Sequence, residues 1–304
     1  MEAQSSVTVP RAPALSGWFL GSVGVLAFSL SLPANALAVV GMSPVAVTVW
    51  RAGLAGVLAA GYLVATRAPL PSRGWPSLVA AGLGVAVGFP LLASIALQSI
   101  SPARAAVVLG MLPALTAVFA RLLGGPALPW TFWCATGAGA VVLVAYLTSR
   151  ADVGAPGPGP GDLAMLGATA SSALGYALGA RQAVTLGGPQ SVCWSLVLLL
   201  PASLPASAVV AGRVDVAWTG SVVVGFAYLV VVSQLMGFFA WYAGLARGGI
   251  ARVGQVQQVQ PVLTVLWSGW LFAGGVDPVA GVVGAVLAGC VAVAQRARFA
   301  EKNL

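Results

Sequence analysis

Ten runs of predominantly apolar residues, roughly 20 residues each, alternate with short polar turns along the chain. They cover 17–39, 45–66, 76–98, 104–122, 131–148, 162–182, 190–211, 219–243, 252–272 and 278–295. A helix rising 1.5 Å per residue needs about 20 such residues to cross a hydrocarbon core about 30 Å thick. The runs do not alternate apolar and polar side chains, as the roughly ten-residue strands of a membrane barrel would. The pattern predicts an all-α membrane protein of ten transmembrane helices, with loops too short to hold a soluble domain.

A frame of polar and apolar positions recurs within this pattern. Arg104 is followed nine positions later by Pro113-Ala114-Leu115-Thr116, and Arg252 nine positions later by Pro261-Val262-Leu263-Thr264, an offset of 148 in a chain of 304. Pro129 and Pro278 each precede a closing small-residue run, and Pro44…Trp50 aligns with Pro189…Trp194 to within one residue. Two copies follow, 1–150 and 162–304, joined by a Pro/Gly linker over 151–161. Five spans per copy is an odd number, so the second copy enters the membrane upside down relative to the first. Two inverted five-helix repeats are an arrangement of secondary transporters, which hold substrate near the midplane where the repeats meet.

Composition agrees: 59% of residues are hydrophobic and 7% charged, with mean hydropathy +0.97, where a soluble domain carries about 25% charged residues. The net charge of +8 would suit a nucleic-acid partner, but the placement of the cations points to lipid instead. With the N-terminus in the cytoplasm, Arg11, Arg67, Arg73, Arg121, Arg181, Arg247, Arg252, Arg296, Arg298 and Lys302 face inward. Only Arg104, Arg150 and Arg213 face outward, and Arg51 lies within a span. That is the positive-inside bias, and it puts both termini in the cytoplasm. The first apolar stretch is full-length with only Arg11 ahead of it, which argues against a cleaved signal. Cys134, Cys193 and Cys290 are scattered in apolar runs and read as packing residues. With no histidine, no metal-ligand spacing, no acid pair and no phosphate-cradling loop, the chain calls for neither a metal nor a cofactor and offers no enzyme chemistry.

Polar residues inside spans are expensive and mark function or helix contacts. Nine residues of helix cover about 13.5 Å, so Pro113 and Pro261 fall near mid-depth from opposite faces and are candidate hinges, each freeing the carbonyl four residues earlier. Before Pro261 stand Gln255, Gln257, Gln258 and Gln260. At 100° per residue Gln255 and Gln258 share one face, and Gln257 and Gln260 lie towards another. One pair can line a cavity, with Gln255 and Gln258 the first candidates, while the other bonds a neighbouring helix. Arg51, the one charge well inside a span, can meet a substrate carboxylate, bond a helix-end carbonyl or snorkel to the interface. Further substrate-binding candidates are Ser29, Ser94, Gln98, Tyr176, Tyr228, Trp241 and Tyr242, each with packing as the competing use. The six acids all lie in tails, loops or span ends, which disfavours proton-driven export of cations.

These features resemble the drug/metabolite transporter superfamily, in particular its ten-helix EamA-type exporters. The resemblance rests on Pro44 with Arg51 seven positions on, the Pro113-Ala114-Leu115-Thr116 segment with its copy at Pro261, and the Gly-rich closing helices. It implies two inverted five-helix repeats around a central cavity, alternating access, and export of amino acids or related metabolites from a bacterial inner membrane. Many members carry a glutamate just after helices four and nine, where this chain has Gly124-Gly125 and Gly274-Gly275. The expected function is passage of small neutral or zwitterionic metabolites, amino acids first, by rocking of the repeats without tight proton antiport. A multidrug efflux carrier and a non-transporting membrane scaffold or sensor are the alternatives. The oligomeric state is open, a monomer included.

Overall fold

The computed structural model describes residues 14–125, 127–149, 158–248, 253–272, 275 and 277–300, with helix dominant and no strand among them. Seven helices there are long and apolar enough to cross a membrane: Gly17–Val39, Pro44–Ala65, Trp75–Ala96, Pro102–Leu122, Trp130–Thr148, Pro160–Leu186 and Gly220–Leu245. Gly188–Val197 and Leu200–Ala211, bent by 54°, make an eighth if they count as one span. The two remaining apolar runs are helical but short of that standard. One is a 3-10 turn, Gly254–Val259, leading into Gln260–Leu271; the other is Pro278–Ala300, apolar over Pro278–Val293.

The breaks have a common cause. Proline has no N–H for the carbonyl four residues back, and its ring crowds that turn. The first segment breaks at Leu30 ahead of Pro33, the fourth between Leu109 and Leu112 ahead of Pro113, and the seventh between Val197 and Leu200 ahead of Pro201. In the ninth, the 3-10 turn ends where the α-helix containing Pro261 begins.

The third and eighth segments loosen differently, into π-helix over Leu83–Gly88 and Tyr228–Met236. Phe89 N–H donates to the Gly84 carbonyl and Gly237 N–H to the Val232 carbonyl, two five-residue hydrogen bonds whose donors and acceptors are each 148 positions apart. Such bulges are rare and concentrate at functional sites. That one recurs in register in both copies makes it a property of the repeated unit.

The copies interlock. The first segment packs on the eighth, the third on the sixth, the second on the seventh, the fourth on the ninth and the fifth on the tenth. Exchanging the two copies maps this set of pairs onto itself. The second and seventh segments run antiparallel. Trp50 Nε1 donates to the Ser207 carbonyl at 3.1 Å, while six residues further along the second segment Gly56 lies against Leu200 and Leu196. The approach is close: a Cβ on Gly56 would stand 2.6 Å from Leu200 Cδ2 and 3.3 Å from the Leu196 carbonyl oxygen, so any side chain there has to push Leu200 aside.

At one end of the bundle the copies are pinned by a buried ion pair. Arg104 Nε donates to Asp162 Oδ1 at 2.7 Å and Nη2 to Oδ2 at 2.8 Å. Asp162 also accepts from Gly159 N–H at 3.0 Å, closing the start of the sixth segment. Both residues begin segments that the charge pattern assigns to the outer side.

Candidate functional site

Pro113 and Pro261 meet in the middle of the bundle. Together with Leu109, Gly110, Leu112, Gln257 and Gln260 they enclose a void of about 10 Å³. Leu109, Leu112 and Gln260 also line a neighbouring cavity of about 30 Å³, room for one or two waters. Its other walls come from the first, second, third, sixth and eighth segments: Phe28, Ser31, Leu32, Arg51, Val85, Phe89, Ser172, Tyr176, Ser233 and Phe238.

Equivalent positions of the two copies face each other across this cavity. Phe28 and Tyr176, Val85 and Ser233, and Leu112 and Gln260 are each 148 residues apart, and Phe89 and Phe238 are 149 apart. In the first three pairs the first copy supplies an apolar side chain and the second a polar one. At these three positions the duplicated framework sets an apolar side chain against a polar one, while Ser31 of the first copy and Phe238 of the second fall outside that division.

Arg51 departs from that division, as a cation contributed by the first copy. It lies two turns into the second segment and is 2% exposed. Its Nη2 donates to Ser233 Oγ at 3.1 Å, and Ser233 Oγ is 2.7 Å from Ser31 Oγ. Its Nε has no partner, and no carboxylate among the described residues lies within ion-pair distance. Nearby, Gln260 Oε1 and Gln257 Nε2 are buried without partners, and the Tyr176 hydroxyl sits beside Gln257 and Ser172. Buried polar atoms are nearly always satisfied in folded proteins. Thr136, Trp194, Ser203 and Gln234 also hold unpartnered atoms, outside both linings, but among the described residues only at Arg51, Gln257 and Gln260 do such atoms lie beside a cavity that another molecule's polar groups can enter. The charge there is +1, and no acid lines the wall.

Of the sequence candidates, Arg51 and Tyr176 line the cavity, and both proposed hinges lie at its edge. The glutamines on the cavities are Gln257 and Gln260, Gln257 from the 3-10 turn and Gln260 from the first position of the α-helix that follows it. Gln258 is half-buried outside both linings, and the Gln255 side chain lies outside the described residues. Ser94 is buried and donates to Asn35 Oδ1 at 3.0 Å, whereas Gln98 is exposed in the turn after its helix. Tyr228 donates to the Ala27 carbonyl at 2.8 Å. Trp241 and Tyr242 are core residues, packed against Gly24 and against Gly179 and Gly188.

Ser29 joins the halves by another route. Pro33 has no N–H for the Ser29 carbonyl, and Thr264 Oγ1 donates to that oxygen at 2.7 Å. Trp267 Nε1 also donates to Ser29 Oγ at 2.9 Å. The equivalent Thr116 bonds back to Leu112 of its own helix at 2.8 Å. Ser233, Ser172, Phe28, Phe89 and Phe238 were not singled out from sequence. The 148-residue offset, carried beyond the proline frame, would have found the pairs that contain Phe28 and Ser233.

The model of the EamA-like transporter family matches residues 15–150 and again 159–294. The uncharacterized transporter YdeK of Bacillus subtilis (strain 168) is 40% identical over 282 residues, covering 92% of this chain and 97% of that protein. A crystal structure whose name states no function superposes with a TM-score of 0.64 at 20% identity, over 95% of this chain and 99% of its own. That last likeness concerns fold alone.

Proposed function

The chain belongs to the EamA-like transporter family, and from that premise we propose that it carries small neutral or zwitterionic metabolites, amino acids first, outward across a bacterial inner membrane. Membership makes it a multi-pass membrane transporter and not an enzyme. The topology proposed is ten spans with both termini cytoplasmic and the second repeat inverted. The antiparallel second and seventh segments, the self-consistent helix pairing and the inward bias of the cations support it.

The observation that carries the substrate site is the cavity where both copies meet, walled by equivalent positions and holding unmatched polar atoms. At about 30 Å³ it is too small for an amino acid in this conformation, so a transport cycle has to widen it. The breaks at Leu109–Leu112 and at the 3-10 turn Gly254–Val259 are the flexible points about which the repeats rock. Each opening towards one side then closes the other, which is alternating access.

Purified protein in liposomes, offered labelled amino acids, nucleosides and sugars, tests the reading. Amino-acid counterflow is expected, at the same rate with and without a pH gradient, because the cavity walls hold no acid or histidine to exchange a proton. Flux that vanishes when the gradient is collapsed would refute the coupling, and flux confined to nucleosides or sugars would refute the substrate class.

A further inference from the structure

We propose that Arg51, held by Ser233, is the anchor for a substrate carboxylate and that an amino group on the substrate is dispensable. This deepens the carrier reading above and rests on it for the identity of the site. A guanidinium presents five N–H donors in a planar fork. Among the described residues the one hydrogen bond of Arg51 is to the Ser233 hydroxyl, its Nε meets no acceptor, and it is 2% exposed. An uncompensated buried cation is costly, and an Arg fork is geometrically matched to two carboxylate oxygens. The Ser233–Ser31 hydroxyl pair takes up one hydrogen of Nη2 and leaves the neighbouring Nε without an acceptor.

The rest of the wall sets the remainder of the ligand. One positive charge balances one carboxylate; a phosphate dianion would leave a negative charge unmatched. An obligatory ammonium would call for an acid, and the lining has none. The unpartnered Gln260 Oε1 and the aromatic rings of Phe28, Phe89, Tyr176 and Phe238 accept an ammonium or an apolar side chain without requiring either. The substrate class is thus small monocarboxylates, amino acids among them.

The test uses the full chain purified in detergent and three isosteric acid–amide pairs: lactate and lactamide, 4-methylpentanoate and its amide, phenylacetate and its amide. Binding is read by calorimetry and by competition with labelled L-leucine. At least one acid is expected to bind and to displace leucine, with its amide weaker by about tenfold or more, the worth of a charge-assisted hydrogen bond. Arg51→Gln is expected to erase the preference for acid over amide, and Arg51→Lys to keep a reduced one. An amide that binds as well as its acid, a preference that survives Arg51→Gln, or no binding by any acid overturns the proposal. If Arg51→Gln does not fold, the acid–amide comparison in the parent protein still decides. Acid binding without flux in liposomes would refute the carrier reading and leave the carboxylate site standing.

Discussion

Arg51 and Arg104 are both almost fully buried, at 2% and 7% exposure, yet they are opposites. Arg104 is matched: two of its nitrogens meet two oxygens of Asp162, which in turn closes the start of a helix. Arg51 has one hydroxyl and an idle Nε. Burying a cation away from water is costly unless it is paired, and at Arg104 the protein itself supplies the compensation. At Arg51 it does not. Burial alone therefore does not tell the two cations apart; the bonding capacity left over does.

The largest expected effect breaks the matched pair. Asp162→Asn strips Arg104 of its counter-ion and should lower stability by about 3–5 kcal/mol, the range for removing one member of a buried pair. Thermal unfolding in detergent micelles measures it. Arg51→Leu, which removes an equally buried cation, should leave the protein no less stable than the parent, since it discards a desolvation cost and loses one hydrogen bond. Equal destabilisation by both changes would mean that Arg51 is as structural as Arg104 and would undo the contrast.

Much of this was legible in the chain and some was not. Spans are legible because about 20 apolar residues have few uses other than crossing lipid, and the breaks at Pro113 and Pro261 because proline always lacks its N–H. Arg51 stood out as a charge where charges are expensive. The π-turns left no mark: Pro90 follows the first, while the matching position after the second is Phe238. A lone serine in an apolar helix is equally mute. Ser94 bonds Asn35 and Ser29 receives Trp267, whereas Ser233 reaches Arg51, and only the packing of distant segments decides which. The glutamines show the limit of a helical wheel, which groups Gln255 with Gln258 and Gln257 with Gln260 but cannot say which pair the packing turns to the cavities; it is Gln257 and Gln260.

A smaller but sharper change converts one arginine into the other. Ser233→Asp places a carboxylate where the hydroxyl now stands 3.1 Å from Arg51 Nη2, giving Arg51 the kind of partner that Arg104 has. Folding should be preserved, while carboxylate ligands should bind about tenfold more weakly or worse, because the fork is already occupied and the net charge of the cavity falls to zero. Undiminished carboxylate binding in this variant would place the anion elsewhere.

The smallest effect expected is that of Ser233→Ala, set beside Ser94→Ala. Ser233→Ala deletes two buried hydroxyl hydrogen bonds, with Arg51 and Ser31, and Ser94→Ala deletes one, with Asn35; at about 1 kcal/mol net each, both should lower the unfolding temperature modestly, the first more than the second. Only Ser233 orients the cation, and only it lines the cavity. Its loss should therefore weaken carboxylate binding by about fivefold, while Ser94→Ala, with its partner Asn35 away from the cavity lining, should leave affinity unchanged. Titrating the same acid against both variants makes the comparison. If the two lose affinity alike, the hydroxyl acts through general stability and Arg51 needs no orienting partner; if only the first does, the unmatched arginine is aimed.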